Sequence, residues 1–245
     1  MTDVSVTSAP SDFHPRLYNS TPDVQNADAD IRRDGMLDRA TGILAPIFHA
    51  YGVAEFCGIN LLHRHWAVEG IEIPLQIRQP HASDYELVTS PSPTWPGMMA
   101  PSSWILMAEG PQAHFVPFEF STDARVLHHA EQLTRHTAFF ATVGDALLAH
   151  DLFRHFGVCI VPREPLSDDP DASLVEISSS RTRASLVRPV ILNPGQTYIQ
   201  TAWTFAFDDK KQPPKPVCRP GVHCETEEVP VGPPYHYKSK DHDPD

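Results

Sequence analysis

The sequence predicts an α+β domain built on an antiparallel sheet or barrel, and three observations carry the prediction. Alternating apolar and polar segments stand before and after one helical stretch, the gaps between them are mostly short, and turn-forming clusters separate them. A doubly wound fold would need helices of about ten or more residues between most strands, which these gaps exclude.

The elements follow in order. Residues 1–30 are rich in Ser, Thr, Asp, Asn and Pro without an apolar period, which predicts a disordered arm. From Met36, residues Leu37, Ala40, Leu44, Ile47, Phe48 and Tyr51 recur at helical spacing, with Pro46 inside and Gly52 as a stop, so a short N-terminal helix is expected. Glu55 to Trp66 reads as a strand. Ile71 to Ile77 alternates, and Pro74 places it at an edge or bulge. SSWILMA and HFVPFEF form two strands about the turn Glu109-Gly110-Pro111-Gln112. Asp123 caps a long helical segment, about 123–157, broken near Thr134 to Thr137 and closed by Gly157. Four strands follow at VCIV, SLVEISS, ASLVRPVIL and TYIQTAWTFAF, with Asn193-Pro194-Gly195-Gln196 joining the last two as a hairpin. Residues 31–208 are thus one α+β domain, and 209–245 form a tail rich in Pro, Lys and acidic residues.

Composition narrows the chemistry. The formal charge of -12 repels phosphate backbones and anionic lipid, so neither nucleic acid nor a membrane is an expected partner. No secretory leader and no apolar run of membrane-spanning length stands out, which predicts a cytoplasmic protein. All five lysines (Lys210, Lys211, Lys215, Lys238 and Lys240) lie in the last 36 residues, so Schiff-base and phosphate-loop lysines are excluded from the domain. Dinucleotide, nucleoside triphosphate, zincin and serine-hydrolase motifs are absent. Cys57 and Cys159, in apolar runs, are expected in the core.

The most specific string runs from Gly58 through His63-Arg64-His65 to Glu69. In a strand, His63 and His65 project to one face about 6.5 to 7 Å apart, together with Cys57, Ile59 and Leu61. Neutral imidazoles so placed can close on one ion, and Glu69 or Glu72, carried back by a turn, would add a carboxylate. Two histidines and one carboxylate leave positions open for substrate and dioxygen, as in non-haem Fe(II) oxygenases. The competing readings are a pair of buried, hydrogen-bonded sheet histidines and a metal-free acid–base pair.

At Gly58, His63, His65 and Glu69 the sequence resembles the first metal-binding motif of the cupin superfamily, with one residue fewer between the glycine and the first histidine. The resemblance implies a cupin-like barrel, a divalent Fe, Mn or Zn, and one further histidine from a second motif, for which His114 stands at the corresponding place. It implies roles for His63, His65 and His114 in catalysis. The tail holds a separate set, Cys218, His223, Cys224 and His236, chemically suited to zinc but with no common finger spacing. Arg181 and Arg183 could grip a carboxylate.

The expected function is that of a metal-dependent enzyme, dioxygenase- or isomerase-like, acting on a small molecule. The alternatives are a non-catalytic binding or interaction protein with structural histidines, and a metal-free lyase or cyclase using a histidine base. A homo-oligomer is compatible with any of them.

Overall fold

The structure, a computed structural model, describes residues 13–81, 84–108, 113–161, 173–179, 181–193, 196–208 and 215–226, with side chains described for all but 81, 84, 85, 206–208 and 215–226. Three helices open the chain, α1 (Pro15–Ser20), α2 (Val24–Arg33) and α3 (Met36–Ala50). Strands β1 (Cys57–Leu61), β2 (Ile73–His81), β3 (Asp84–Ser92), β4 (Ala100–Met107) and β5 (His114–Ser121) follow. Helices α4 (Ala124–Thr134) and α5 (Thr137–Ala149) then lead to β6 (Phe156–Ile160), β7 (Ser173–Ser179), β8 (Ala184–Val190), β9 (Thr197–Asp208) and β10 (Lys215–Thr226). The strands make one curled sheet in the order β1-β6-β4-β5-β2-β3-β8-β7-β10-β9, and β9 pairs back onto β1, which closes it as a barrel.

Where the apolar period is strong, the chain does what it predicts. In α3 the buried Ala40, Leu44, Ala45 and Phe48 share one face, and burial carries the helix through Pro46 despite the missing donor. Gly52, at φ 69°, takes the left-handed conformation that ends it. Asp123 caps α4 by accepting from the Arg125 backbone N–H at 2.8 Å.

Several expectations are corrected. The helical segment 123–157 does break where expected, α4 and α5 being separated at Arg135 and His136, but α5 ends at Ala149, short of Gly157. Gly157 is a strand residue, where a Cβ would lie 2.5 Å from the Trp104 carbonyl oxygen, so it is required by close strand approach and not by a helix end. The sheet is mixed, since β2 runs parallel to β5 and β10 parallel to β7. Strands β8 and β9 form no hairpin. Gln196 N–H does donate to Asn193 O at 3.0 Å, but β8 pairs with β3 and β7, and β9 with β1 and β10. Within 1–30, α1 and α2 are ordered helices, with Tyr18, Val24 and Ala27 buried beneath them. Past Asp208 the sheet continues, because β10 pairs along the length of β9.

Two apolar layers hold the barrel. Outside it, Phe48 of α3, with Phe139, Val143 and Leu147 of α5, covers Cys57, Ile59, Leu61, Trp203 and Phe205. Trp104 and Phe115 also face this layer, each against Phe140 with ring centroids 5.5 and 5.2 Å apart. At another flank α1 sets Tyr18 on Phe118, centroids 4.9 Å apart. The inside is only partly filled. Ten strands enclose more width than side chains fill in an eight-stranded barrel, and a cavity of about 130 Å³ remains.

Candidate metal centre

His63 and His65 do not lie on a strand. β1 ends at Leu61, and the backbone donors that follow leave the ladder: Leu62 N–H goes to His155 O and Arg64 N–H to Pro22 O, both at 2.9 Å. Had the strand continued, both histidines would have pointed with Cys57, Ile59 and Leu61 into the helix-covered layer. Leaving the sheet lets both rings turn inward. His63 lines the cavity.

The N-terminal segment clamps this loop. Asn19 holds both backbone groups of Val68, donating from Nδ2 to its oxygen and accepting from its N–H, each at 2.9 Å. Arg64 Nε donates to Thr21 O at 2.7 Å. These contacts hold the loop without touching His63, His65 or Glu176, so Asn19→Ala is expected to weaken metal affinity by no more than about 10-fold, the lower end of what loss of a ligand's own hydrogen-bond partner costs, read by competition with a chromogenic chelator.

The two imidazoles meet the carboxylate of Glu176, from β7. His63 Nε2 is 3.2 Å from His65 Nε2, which is 3.1 Å from Glu176 Oε1. His63 Nδ1 lies 2.8 Å from Leu61 O; a carbonyl can only accept, so Nδ1 carries a proton and Nε2 is the ring atom left to face the centre. With ligand bonds of about 2.1 Å, neighbouring donors around one ion stand about 3.0 Å apart in an octahedron and 3.4 Å in a tetrahedron. The His63–His65 and His65–Glu176 spacings fall in that interval and all three donors lie within 4.8 Å of one another, so the residues present could hold a divalent ion. Among the described residues these three are the only such group of His, Cys, Asp and Glu.

The remaining candidates lie elsewhere. Glu69 is exposed, and Glu72 accepts from Arg183 Nη2 at 2.6 Å, so Arg183 does grip a carboxylate, but outside the centre. Neither glutamate joins the group. His114 sits exposed at the start of β5, opposite Met107, also apart from it. Cys218, His223 and Cys224 fall on β10, where side chains are not described, and His236 lies outside the described residues. Glu69→Gln and Glu72→Gln are therefore expected to leave metal stoichiometry unchanged, with a stability cost at Glu72 of about 1 kcal/mol for the half-buried pair, checked by urea unfolding.

Glu176 sits in SLVEISS as the one charged residue of an otherwise apolar and serine strand, and Ser185 Oγ donates to its Oε1 at 2.6 Å. A second unforeseen acid, Glu119 of β5, lines the same cavity and accepts from Ser103 Oγ at 3.2 Å. In HFVPFEFS it is likewise the one carboxylate among apolar residues.

The charges interact. Burial pushes the His65 imidazole toward its neutral form, but the charge and hydrogen bond of Glu176, with Glu119 behind it, outweigh this and raise it above its ordinary value. Burial would raise Glu176, yet the charge and hydrogen bond of His65, with His63 and Ser185, hold it far below the usual carboxylate range. Glu119, buried and facing Glu176, is pushed up to about 7, against the pull of His65 and Ser103. Burial also raises both buried thiols, Cys57 and Cys159.

Glu119 and His65 thus hold protons more tightly folded than unfolded. Stability of the metal-free protein is present in full below their ordinary values and falls as pH rises through about 7 for Glu119 and through the raised value of His65. Glu176 runs the other way, its contribution being lost as acid protonates it. The urea midpoint of the metal-free protein should therefore decline from about pH 5.5 to pH 8 and drop again in strong acid. A metal ion needs unprotonated imidazoles, so metal loading should reduce or reverse the neutral-range decline.

No helix among the described residues is long and apolar enough to cross a membrane. No protein-family model, no curated protein and no solved structure matches the chain.

Proposed function

We propose that the protein is a metal-dependent enzyme acting on a small molecule held in the barrel, with His63, His65 and Glu176 as ligands of one divalent Fe, Mn or Zn. The observation that carries the reading is the convergence of His63, His65 and Glu176 beside a partly open cavity, with 3.2 Å between the imidazoles, 3.1 Å from His65 to the carboxylate and all three donors within 4.8 Å of one another. Two histidines and a carboxylate leave coordination positions open toward a ligand, and a metal so held supplies Lewis acidity or, as Fe(II), dioxygen activation. Isomerase- or dioxygenase-type chemistry follows from that choice. Leu61 O fixes the His63 tautomer, Ser185 orients Glu176, and Glu119 holds or releases a proton at its carboxyl across the cavity.

Metal analysis of purified protein tests the reading. About one equivalent of iron, manganese or zinc is expected in the native protein and none in folded His63→Ala; full retention in that variant would overturn it. Cys218→Ser with Cys224→Ser should leave the equivalent in place, which separates this centre from a tail zinc.

Glu119 supports a second reading, that of a metal-free lyase or cyclase. A buried carboxyl pushed up to about 7, sharing a cavity with a histidine, is suited to general acid–base work near neutral pH. Metal-free protein with native affinity for its ligand would favour it.

A further inference from the structure

The cavity has a composition that selects its occupant. Two small apolar clusters face it. One is Leu87 of β3 against Val187 of β8 with Leu174 of β7 beside them; the other is Cys159 and Val161 with Ala202 of β9. The first adjoins the metal centre directly, since Val187 pairs with both Leu87 and Glu176 across the sheet. One end of the cavity is therefore polar and metal-binding while its neighbouring wall is aliphatic.

Size sets a limit. The cavity is partly open and its inner space measures about 130 Å³, where a closed apolar cavity of about 150 Å³ holds one benzene molecule. Charge sets another. The described residues lining the cavity include two carboxylates, Glu119 and Glu176, and no arginine or lysine. Without metal the His65 imidazole is already paired with Glu176 at 3.1 Å, and an entering anion would find no Arg or Lys among the described lining residues, a costly burial. A divalent ion on His63, His65 and Glu176 would leave one positive charge, and the Glu119 carboxyl lines the same cavity.

We propose that the cavity takes an uncharged molecule about the size of one six-membered ring, its single hydroxyl or carbonyl oxygen directed at the His63–His65–Glu176 group, and that it rejects carboxylates and phosphates of equal size. The direction of the oxygen rests on the metal reading above; the size and charge selection do not. Leu87, Leu174 and Val187 bury the ring, and exclusion of anions comes from unpaired charge instead of from shape.

Calorimetric titration of the full chain with phenol, cyclohexanone and benzoate, before and after loading with Zn(II), tests it. Phenol and cyclohexanone are expected to bind, with benzoate at least ~10-fold weaker in both states. Val187→Phe, which fills the aliphatic end, should weaken phenol by at least ~10-fold while one Zn(II) still binds; Leu174→Phe serves if the first variant does not fold. Benzoate binding as tightly as phenol, or no binding of either neutral ring, overturns the proposal. Phenol preference in a protein that takes up no Zn(II) upholds the size and charge selection and sinks the metal reading. One bound Zn(II) with benzoate preferred does the reverse.

Discussion

His63→Ala is expected to lower divalent-metal affinity by at least ~10²-fold while leaving the protein folded. Loss of a supporting contact costs a metal site about 10- to 100-fold, and loss of a ligand costs no less. His63 is the cleanest ligand to remove, because the His65–Glu176 pair at 3.1 Å survives it. His65→Ala should lose metal too, but it leaves Glu176 as a buried carboxylate without its nearest cation, a defect worth about 3–5 kcal/mol. Glu176→Gln removes the opposite partner at lower cost, since an imidazolium that loses its counter-charge can shed its proton. The expected order of stability, read by urea unfolding without metal, is His63→Ala above Glu176→Gln above His65→Ala. If His65→Ala proved the most stable of the three, the buried ion pair would not be what holds this corner of the barrel.

Gly58→Ala is expected to abolish folding. A Cβ there would sink into the carbonyl oxygen of Trp203 and lie 3.0 Å from its carbonyl carbon, both backbone atoms that cannot swing aside. Gly58 pairs with Thr204 along the β1–β9 seam, where the barrel closes, so relief would require opening the sheet. A cost above ~4 kcal/mol follows, enough to consume much of a typical domain's stability. Soluble yield and thermal melting measure it. Gly42→Ala is the control. It lies within α3 with nothing within 4 Å of the added methyl, and should be neutral or stabilising by up to about 1 kcal/mol. Sequence reading gave Gly58 the opening place of a metal motif, whereas the structure gives it a packing reason in the strand before the ligands.

Local pattern made part of this legible. The helical period of Leu37, Ala40, Leu44, Ile47 and Phe48 predicts α3 because one face alone can be buried. The β4–β5 hairpin, β6, β7 and β9 follow from short apolar runs bounded by turn residues. The His63–His65 pairing was readable as well, although for another reason: proximity in the chain lets two rings meet from a loop as from a strand. Helix α1 was hidden because its stability comes from packing Tyr18 on Phe118, while α2 carries only a sparse helical period, Val24, Ala27 and Ile31 behind the Asp23 cap, in an otherwise polar run. Strands β3 and β10 are polar or proline-containing and become strands by pairing with β2 and β9.

By itself, then, the sequence determined an α+β chain whose first 209 residues hold no lysine, although β10 brings Lys215 into the sheet, and two histidines separated by one residue that are able to share an ion. Only the tertiary structure decided which carboxylate stands beside them. Glu69 and Glu72 are near in the chain, but exposure and the Arg183 pair keep them out, while barrel closure carries Glu176 from a distant strand to 3.1 Å from His65. Which carboxylate meets the histidines is set by strand order and register, and those are non-local quantities that no spacing along the chain encodes.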